Sequence, residues 1–316
     1  LSTLSDLIAS GDPRGIARGI SMIENDRREG PILVRDLFAR AGGALLVGVT
    51  GAPGAGKSTL VDALVLEWRK ANKTVGVIAV DPTSPFSGGA MLGDRVRMQA
   101  HAYDAGVFIR SMATRGHLGG LARATADAAL VLDASGKDLV IIETVGVGQD
   151  EVEVARTADV SVVVLVPGMG DEVQALKAGV MEIADIFVVN KCEREGADRL
   201  VAEVESLLSL HAYEEHEWRP PVIRTQATSG HGIVELVGAV DRFRARPAQI
   251  AARRRARAET QLRSILAARL MSDIESQIRG SQLEQAVERI ASRTLDPYTA
   301  ADHLLGDRAL GARDST

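Results

Sequence analysis

Nine consecutive residues, GAPGAGKST from Gly51 to Thr59, follow the apolar run Ala44–Thr50 and precede Leu-Val-Asp-Ala-Leu. Gly51-x-x-x-x-Gly56-Lys57-Ser58 meets the P-loop pattern in full, after a strand-like segment and before a helix-like one. The glycines let the backbone wrap so that successive N–H groups point at phosphate oxygens, and the following helix adds its positive N-terminal end. The expected phosphate-binding set is Gly51, Ala52, Pro53, Gly54, Ala55, Gly56, Lys57, Ser58 and Thr59. Lys57 is placed to reach the β- and γ-phosphates, and Ser58 to set its hydroxyl on Mg²⁺.

A magnesium ion takes one or two carboxylates and keeps several waters. Asp81 closes the strand-like run VIAVD, where the carboxyl end of a parallel strand faces a ligand crevice. Asp94 follows the loop FSGGAM. Either of them can bind the metal directly or through water. Glu143 ends DLVIIE, an apolar strand finishing in an acid, and an unpaired carboxylate there would be costly. Behind it Thr144-Val-Gly146-Val-Gly148-Gln149 reads as a switch loop in which the Gly146 N–H meets the γ-phosphate. Glu143 is the preferred residue to orient the attacking water, ahead of Gln149, because a strand end holds it more firmly.

Asn190-Lys191-Cys192-Glu193 stands at the end of IFVVN. Guanine-binding proteins carry Asn-Lys-x-Asp at such a place. There the Asn reads the N7/O6 edge, the Lys stem covers the ring, and the acid accepts from the N1–H and exocyclic amine. Glu193 keeps the acceptor pair but displaces it by one methylene. TQATSG, with Ala227, lies where a backbone N–H would contact O6.

These residues need a frame. Near-continuous Val/Ile/Leu runs predict strands at 44–50, 75–80, 107–110, 138–143, 160–166, 185–190 and 221–224. Such runs belong to a mostly parallel sheet flanked by helices on both faces. Helices are expected at about 58–71, 118–133, 149–157, 172–182, 196–210 and 231–243. The chain divides into an N-terminal helical extension (1–43), an α/β nucleotide domain (44–243) and a C-terminal helical arm (244–316). The arginines of RFRAR (242–246) and RRRAR (253–257) are expected on a solvated helix face or in a subunit interface.

Composition narrows the partners. The 316 residues carry a formal charge of −5 and 3% aromatics, which argues against a nucleic-acid partner. No stretch approaches the roughly 18 apolar residues of a membrane span. The start, LSTLSDLIASGDPRG, has no basic, apolar and cleavage-site sequence of a signal peptide. It begins at Leu rather than Met, as expected of a chain trimmed at its start. The single cysteine, Cys192, fits a reducing cytoplasm and simple burial.

Three stretches are far more specific than the P-loop: DPTSPFSGGAMLGDRVRM, ETVGVGQDEVEVARTAD and VPGMGDEVQALKAGVMEIADIFVVNK. They resemble the MeaB/ArgK family of P-loop GTPases, the G-protein chaperones of adenosylcobalamin-dependent methylmalonyl-CoA mutase. The likeness runs from the start to DPYTAADHLL near residue 305. It implies a SIMIBI-class G domain with the P-loop NTPase fold, GTP/GDP and Mg²⁺ as ligands, and a homodimer to which the arm contributes. It also implies binding to the mutase, gating of cofactor loading and ejection of inactivated cobalamin. Lys57, Ser58, Asp81, Asp94 and Glu143 carry over as the nucleotide and magnesium site, with Asn190, Lys191 and Glu193 as the base site. Glu193 departs from the family's Asp. The segment Gly168 to Lys177 corresponds to an additional switch that relays nucleotide state to the partner.

GTP and Mg²⁺ are expected to order loops 82–94 and 144–151, and hydrolysis to release them. Arg95, Arg97, Arg110 and Arg115 stand as unranked candidates for a stimulating arginine. Two other readings compete. One is the family's older label, a kinase tied to arginine and ornithine (LAO/AO) transport. The other is a nickel-type metallochaperone GTPase, which usually displays clustered His or Cys ligands. Here six His are scattered, and only His211 and His216, near Glu214, Glu215 and Glu217, come together, in what reads as a polar loop.

Overall fold

Alternation of buried residues decides which helix covers which face of the sheet. In a computed structural model of the chain, residues 3–25, 29–82, 101, 103–114, 120–144, 157–168, 183–214, 216–278 and 280–311 are described. Seven strands among them form one sheet: β1 (Leu45–Gly51), β2 (Val75–Pro82), β3 (Val107–Thr114), β4 (Leu139–Thr144), β5 (Val160–Leu165), β6 (Ile186–Asn190) and β7 (Val222–Thr225). Their order is β3-β2-β4-β1-β5-β6-β7. Every pairing is parallel, with Val49 opposite Glu143 and Gly48 opposite Ser161 fixing the centre. All seven expected strands are present. β3 runs four residues further than Val107–Arg110, because backbone pairing with β2 carries Ser111–Thr114 where the apolar pattern has already ended.

Leu45, Val47, Val49, Leu139, Ile141, Val162 and Val188 point to one side. There they pack on α4 (Lys57–Lys70) and on α7 (Ile233–Arg244) through Leu60, Leu64, Leu236 and Val240. The opposite side is covered in two parts. Leu46, Ile78, Val140 and Ile142 meet α5 (Gly120–Ala134) and the N-terminal helices α1 (Leu4–Ala9), α2 (Pro13–Glu24) and α3 (Gly30–Phe38). Phe187 and Val189 meet α6 (Ala197–Leu208). Strands buried on both faces explain the unbroken apolar runs.

The N-terminal extension is three short helices. Asp12 caps α2 by accepting from the Gly15 N–H at 2.6 Å, Pro13 occupies the first turn, and Ile16, Ile20 and Ile23 form the buried stripe. This bundle is an integral part of the sheet's core.

The chain separates into two compact units, Leu1–Arg257 and Ala258–Thr316. The first includes the opening turns of α8 (Pro247–Gln277). The reason is ionic. Arg253 Nη2 donates to Asp185 Oδ1 at 2.7 Å, while Arg254 and Arg257 both bond the fully buried Asp159 at 3.1 Å. Arg254 further donates to the Gly42 and Ala44 carbonyls at 3.1 Å. Of the arginines expected on a solvated helix face or in a subunit interface, Arg242, Arg244 and Arg255 are exposed, whereas half-buried Arg253, Arg254 and Arg257 grip acids that precede β5 and β6. Among its described residues the second unit contains the rest of α8, α9 (Gly280–Ala291) and α10 (Pro297–Gly311), with a turn over 292–296 between the last two.

Candidate functional site

The P-loop leaves β1 and enters α4 at the sheet's centre, where connections run to β2 on one side and to β5 on the other. This is a topological switch point, and its crevice lies at the carboxyl ends of the strands. Gly51 has φ +144 and approaches β5 so closely that a Cβ would collide with the Val164 carbonyl oxygen. Gly56 has φ +84 and precedes α4, where a Cβ would sit 2.6 Å from Asn190 Nδ2. Only glycine meets both conditions.

A cleft of about 370 Å³ opens here, lined by Pro53, Gly54, Gly56, Lys57, Ser58, Thr59, Ala79, Val80, Glu143 and Thr144. Lys57 is buried, its Nζ donating to Gly51 O at 2.6 Å and Ala52 O at 3.0 Å. Ser58 Oγ donates to Glu143 Oε1 at 2.6 Å. Glu143 is buried near the end of β4 with its backbone in register between Val49 and Ala79, so the sheet fixes its position. A hydroxyl and a buried carboxylate meeting beside a P-loop make an oxygen set that suits a hard divalent cation. Thr144 Oγ1 donates to Thr50 Oγ1 at 3.1 Å, linking β4 to β1 directly below the loop.

The Asn-Lys-Cys-Glu turn touches the P-loop. Asn190 is buried; its Nδ2 donates to Ala55 O at 2.8 Å, and its Oδ1 accepts from Thr225 Oγ1 at 3.1 Å and Ala227 N at 3.2 Å. Lys191 takes φ +55 and stretches its stem so that Nζ donates to Gly54 O at 2.7 Å. The Cys192 N–H donates to Thr225 O at 3.1 Å. Three loops that follow β1, β6 and β7 are thus tied together by one asparagine. Glu193 is exposed and makes no hydrogen bond to a described residue, so its carboxylate is open to a ligand.

Asp81 lies at the carboxyl end of β2, opposite Ala113 of β3. Asp94, Gly146 and Gln149 fall outside the described residues, as do Arg95, Arg97, Arg115, all but the last residue of the helix expected at 149–157, the helix expected at 172–182, and the relay segment beyond Gly168. Arg110 belongs elsewhere: it donates to Ser21 Oγ at 3.0 Å and to Glu24 of α2. Edge strand β3 uses it to hold the N-terminal helices. Cys192 is half-buried against the α6 side of the sheet. His211 bonds Glu217 at 3.1 Å, and among the described residues no three His, Cys, Asp or Glu side chains gather as metal ligands.

Thr225 and Thr50 were not among the expected site residues. The signal for Thr225 lay in its own segment, a threonine ending a strand just before Gln-Ala-Thr-Ser-Gly, but its partner Asn190 is 35 residues away and only the fold joins them.

A parallel sheet that feeds a P-loop into a helix, with an Asn-Lys-x-Glu turn locked against it, defines a P-loop nucleotide hydrolase of the GTPase kind. A sequence profile of the methylmalonyl-CoA mutase-associated GTPases, MeaB, matches residues 16–279, and the chain belongs to that family. It is a GTPase and binds GTP and GDP. A Pyrococcus abyssi protein that carries a GTPase name is 49% identical over 310 residues, covering 96% of each chain. GTPase ArgK of Escherichia coli is 36% identical, covering 75% of this chain and 74% of its own. The mouse mitochondrial methylmalonic aciduria type A homolog is also 36% identical, covering 82% of this chain and 64% of its own. A crystal structure described as an LAO/AO transport system kinase superposes with a TM-score of 0.72 at 26% identity, covering 97% of this chain and 96% of that one.

Proposed function

We propose that this GTPase is the G-protein chaperone of an adenosylcobalamin-dependent methylmalonyl-CoA mutase, gating cofactor loading and protecting or reactivating the enzyme. The observation that carries this reading is the family match over residues 16–279, to proteins named for their association with that mutase. The mouse relative, named for methylmalonic aciduria, points the same way.

In this reading Gly51 to Thr59 surround the phosphates, and Lys57 leaves the Gly51 and Ala52 carbonyls to meet the β- and γ-oxygens. Ser58 and Glu143, already in contact, would hold Mg²⁺ together with Asp81 or Asp94, and the ion supplies charge neutralisation on the phosphates when bound. Glu143 also orients the attacking water, and the Gly146 N–H meets the γ-phosphate. Asn190, Lys191, Glu193 and the Ala227 backbone frame the guanine. Asn190 has one Nδ2 proton beyond the one given to Ala55 O, so it can read the base while it holds the loops.

The molecule acts as a homodimer. Leu262, Leu266 and Leu270 recur every four residues along α8 and are each at least half exposed, an apolar stripe suited to a second copy. Because ligands shift an equilibrium only by their differential affinity, a mutase that prefers one nucleotide state must change nucleotide affinity in return.

Turnover of GTP and ATP, each with and without a methylmalonyl-CoA mutase, tests the proposal. A preference for GTP and a response to the mutase are expected. Equal use of ATP, insensitive to the mutase but raised by arginine or ornithine, overturns it in favour of the transport-kinase reading.

A further inference from the structure

A second cavity, of about 720 Å³, lies in the Leu1–Arg257 unit beside Asp185, the residue that precedes β6. That is the amino end of the strands, the edge of the sheet opposite the P-loop. Its volume is about twice that of the nucleotide cleft and within the ~300–1,000 Å³ of small-molecule sites.

The walls are apolar and rigid. Leu208, Tyr213, Trp218 and Phe243 line the cavity. Trp218 and Phe243 meet edge to face at 5.1 Å, and the Trp218 Nε1–H donates to Asp185 O at 2.7 Å, which fixes the indole plane. Among the polar groups of the lining, Arg253 and Tyr213 have donors to spare. Of the Arg253 guanidinium only Nη2 is engaged, with Asp185 Oδ1, so Nε and Nη1 have no acceptor among the described residues. The Tyr213 hydroxyl likewise bonds no described residue, and burial, with the nearby Glu217 carboxylate, pushes its pKa up, so it keeps its proton. The two carboxylates in the lining are already engaged. Asp185 accepts from Arg253 and the Ser161 N–H, and Glu217 from the Glu214 N–H and His211.

We propose that this cavity is a binding site for a small molecule with a flat, apolar body and a single anionic group. The body lies against Trp218, Phe243 and Leu208, and the anion accepts from Arg253 and the Tyr213 hydroxyl. The Arg253 side chain is 32% exposed, so an anion there takes the place of water and gains the paired, charge-assisted geometry of the guanidinium fork. The site is independent of the nucleotide: none of its lining residues belongs to the P-loop cleft.

The test uses 8-anilinonaphthalene-1-sulfonate, an aromatic body with one sulfonate, titrated into the full chain first without nucleotide and then with GDP in excess. Saturable binding to one site per chain with quenching of Trp218 emission is expected. N-phenyl-1-naphthylamine, which lacks the sulfonate, is the neutral comparison and should bind roughly tenfold more weakly. Ala252→Glu places a carboxylate in the lining at an exposed helical position that accepts Glu without loss of folding. It should weaken the sulfonate probe about tenfold while leaving the neutral probe and GTP turnover unchanged. Tyr213→Phe, which removes one donor and keeps the ring, should weaken the sulfonate probe alone by about threefold. The proposal is overturned if the sulfonate probe binds Ala252→Glu as tightly as the original chain, if the neutral probe matches it, or if GDP displaces it.

Discussion

Asn190 is the residue on which the site's geometry turns. Its amide joins Ala55, Thr225 and Ala227, so one side chain sets the spacing between the phosphate loop and the base loop. Asn190→Ala leaves a buried carbonyl and a buried N–H without partners, at a cost of about 1–3 kcal/mol for each. Weaker GDP binding together with a lower melting temperature is expected; calorimetric titration and thermal melts check both. A variant that loses only nucleotide affinity would mean that the loops hold without it. Lys57 differs in kind, since its Nζ donates to the Gly51 and Ala52 carbonyls of the phosphate loop itself. Lys57→Ala should remove GTP turnover by a factor of about 10² or more while the circular-dichroism spectrum and melting temperature stay near those of the original chain. Retained turnover would mean that the phosphates lie elsewhere.

At the scale of elements, the acids at the amino ends of the strands decide what packs where. Asp159 takes Arg254 on both oxygens, Arg257 on one and the Leu46 N–H on the other, with no exposure to solvent. Removing one member of such a group leaves buried charge uncompensated, so Asp159→Ala should cost about 3–5 kcal/mol. Urea denaturation checks it, and a loss below 1 kcal/mol, the range of a surface pair, would contradict the burial. Asp138, just before β4, accepts from the Thr74 N–H at 2.8 Å and from its hydroxyl at 3.0 Å. The Thr74 N–H holds the Asp138 carboxyl below its ordinary value of 3.8, against the opposing pull of burial. A carboxylate with a lowered folded pKa adds stability in full above its unfolded value and loses it as the pH falls through the folded one. Melting temperatures should therefore drop on acidification below about pH 4, and the drop should be shallower in Asp138→Asn. Identical pH profiles would remove Asp138 from the account.

For the whole molecule, the exposed Leu262, Leu266 and Leu270 stripe is the feature that asks for a partner. Leu266→Glu puts a charge at its middle without disturbing a helix that is exposed there. A homodimer should give way to a monomer, read by sedimentation velocity, with the melting temperature of the Leu1–Arg257 unit unchanged. A dimer that survives the substitution would place the contact elsewhere.

The sequence by itself determined the strands, their parallel pairing and the phosphate loop. Strands buried on both faces must be apolar throughout, and a loop that wraps phosphate must have glycine where the backbone takes positive φ, as Gly54 and Gly56 do. It also determined the family, because DPTSPFSGGAMLGDRVRM and its two companions are specific stretches of contiguous chain. Contacts between distant segments were settled only by the tertiary structure. Nothing local to RRRAR distinguishes a solvated helix face from a set of side chains gripping buried acids; the answer depends on Asp159 and Asp185, roughly 70 to 100 residues earlier. Arg110 could not be separated from the other arginines until β3 brought it against Glu24. The Asn190 lock and the second cavity likewise arise where strand ends meet helices from other parts of the chain. Local pattern follows from local sterics and burial, whereas the sites follow from which loops the sheet order brings together.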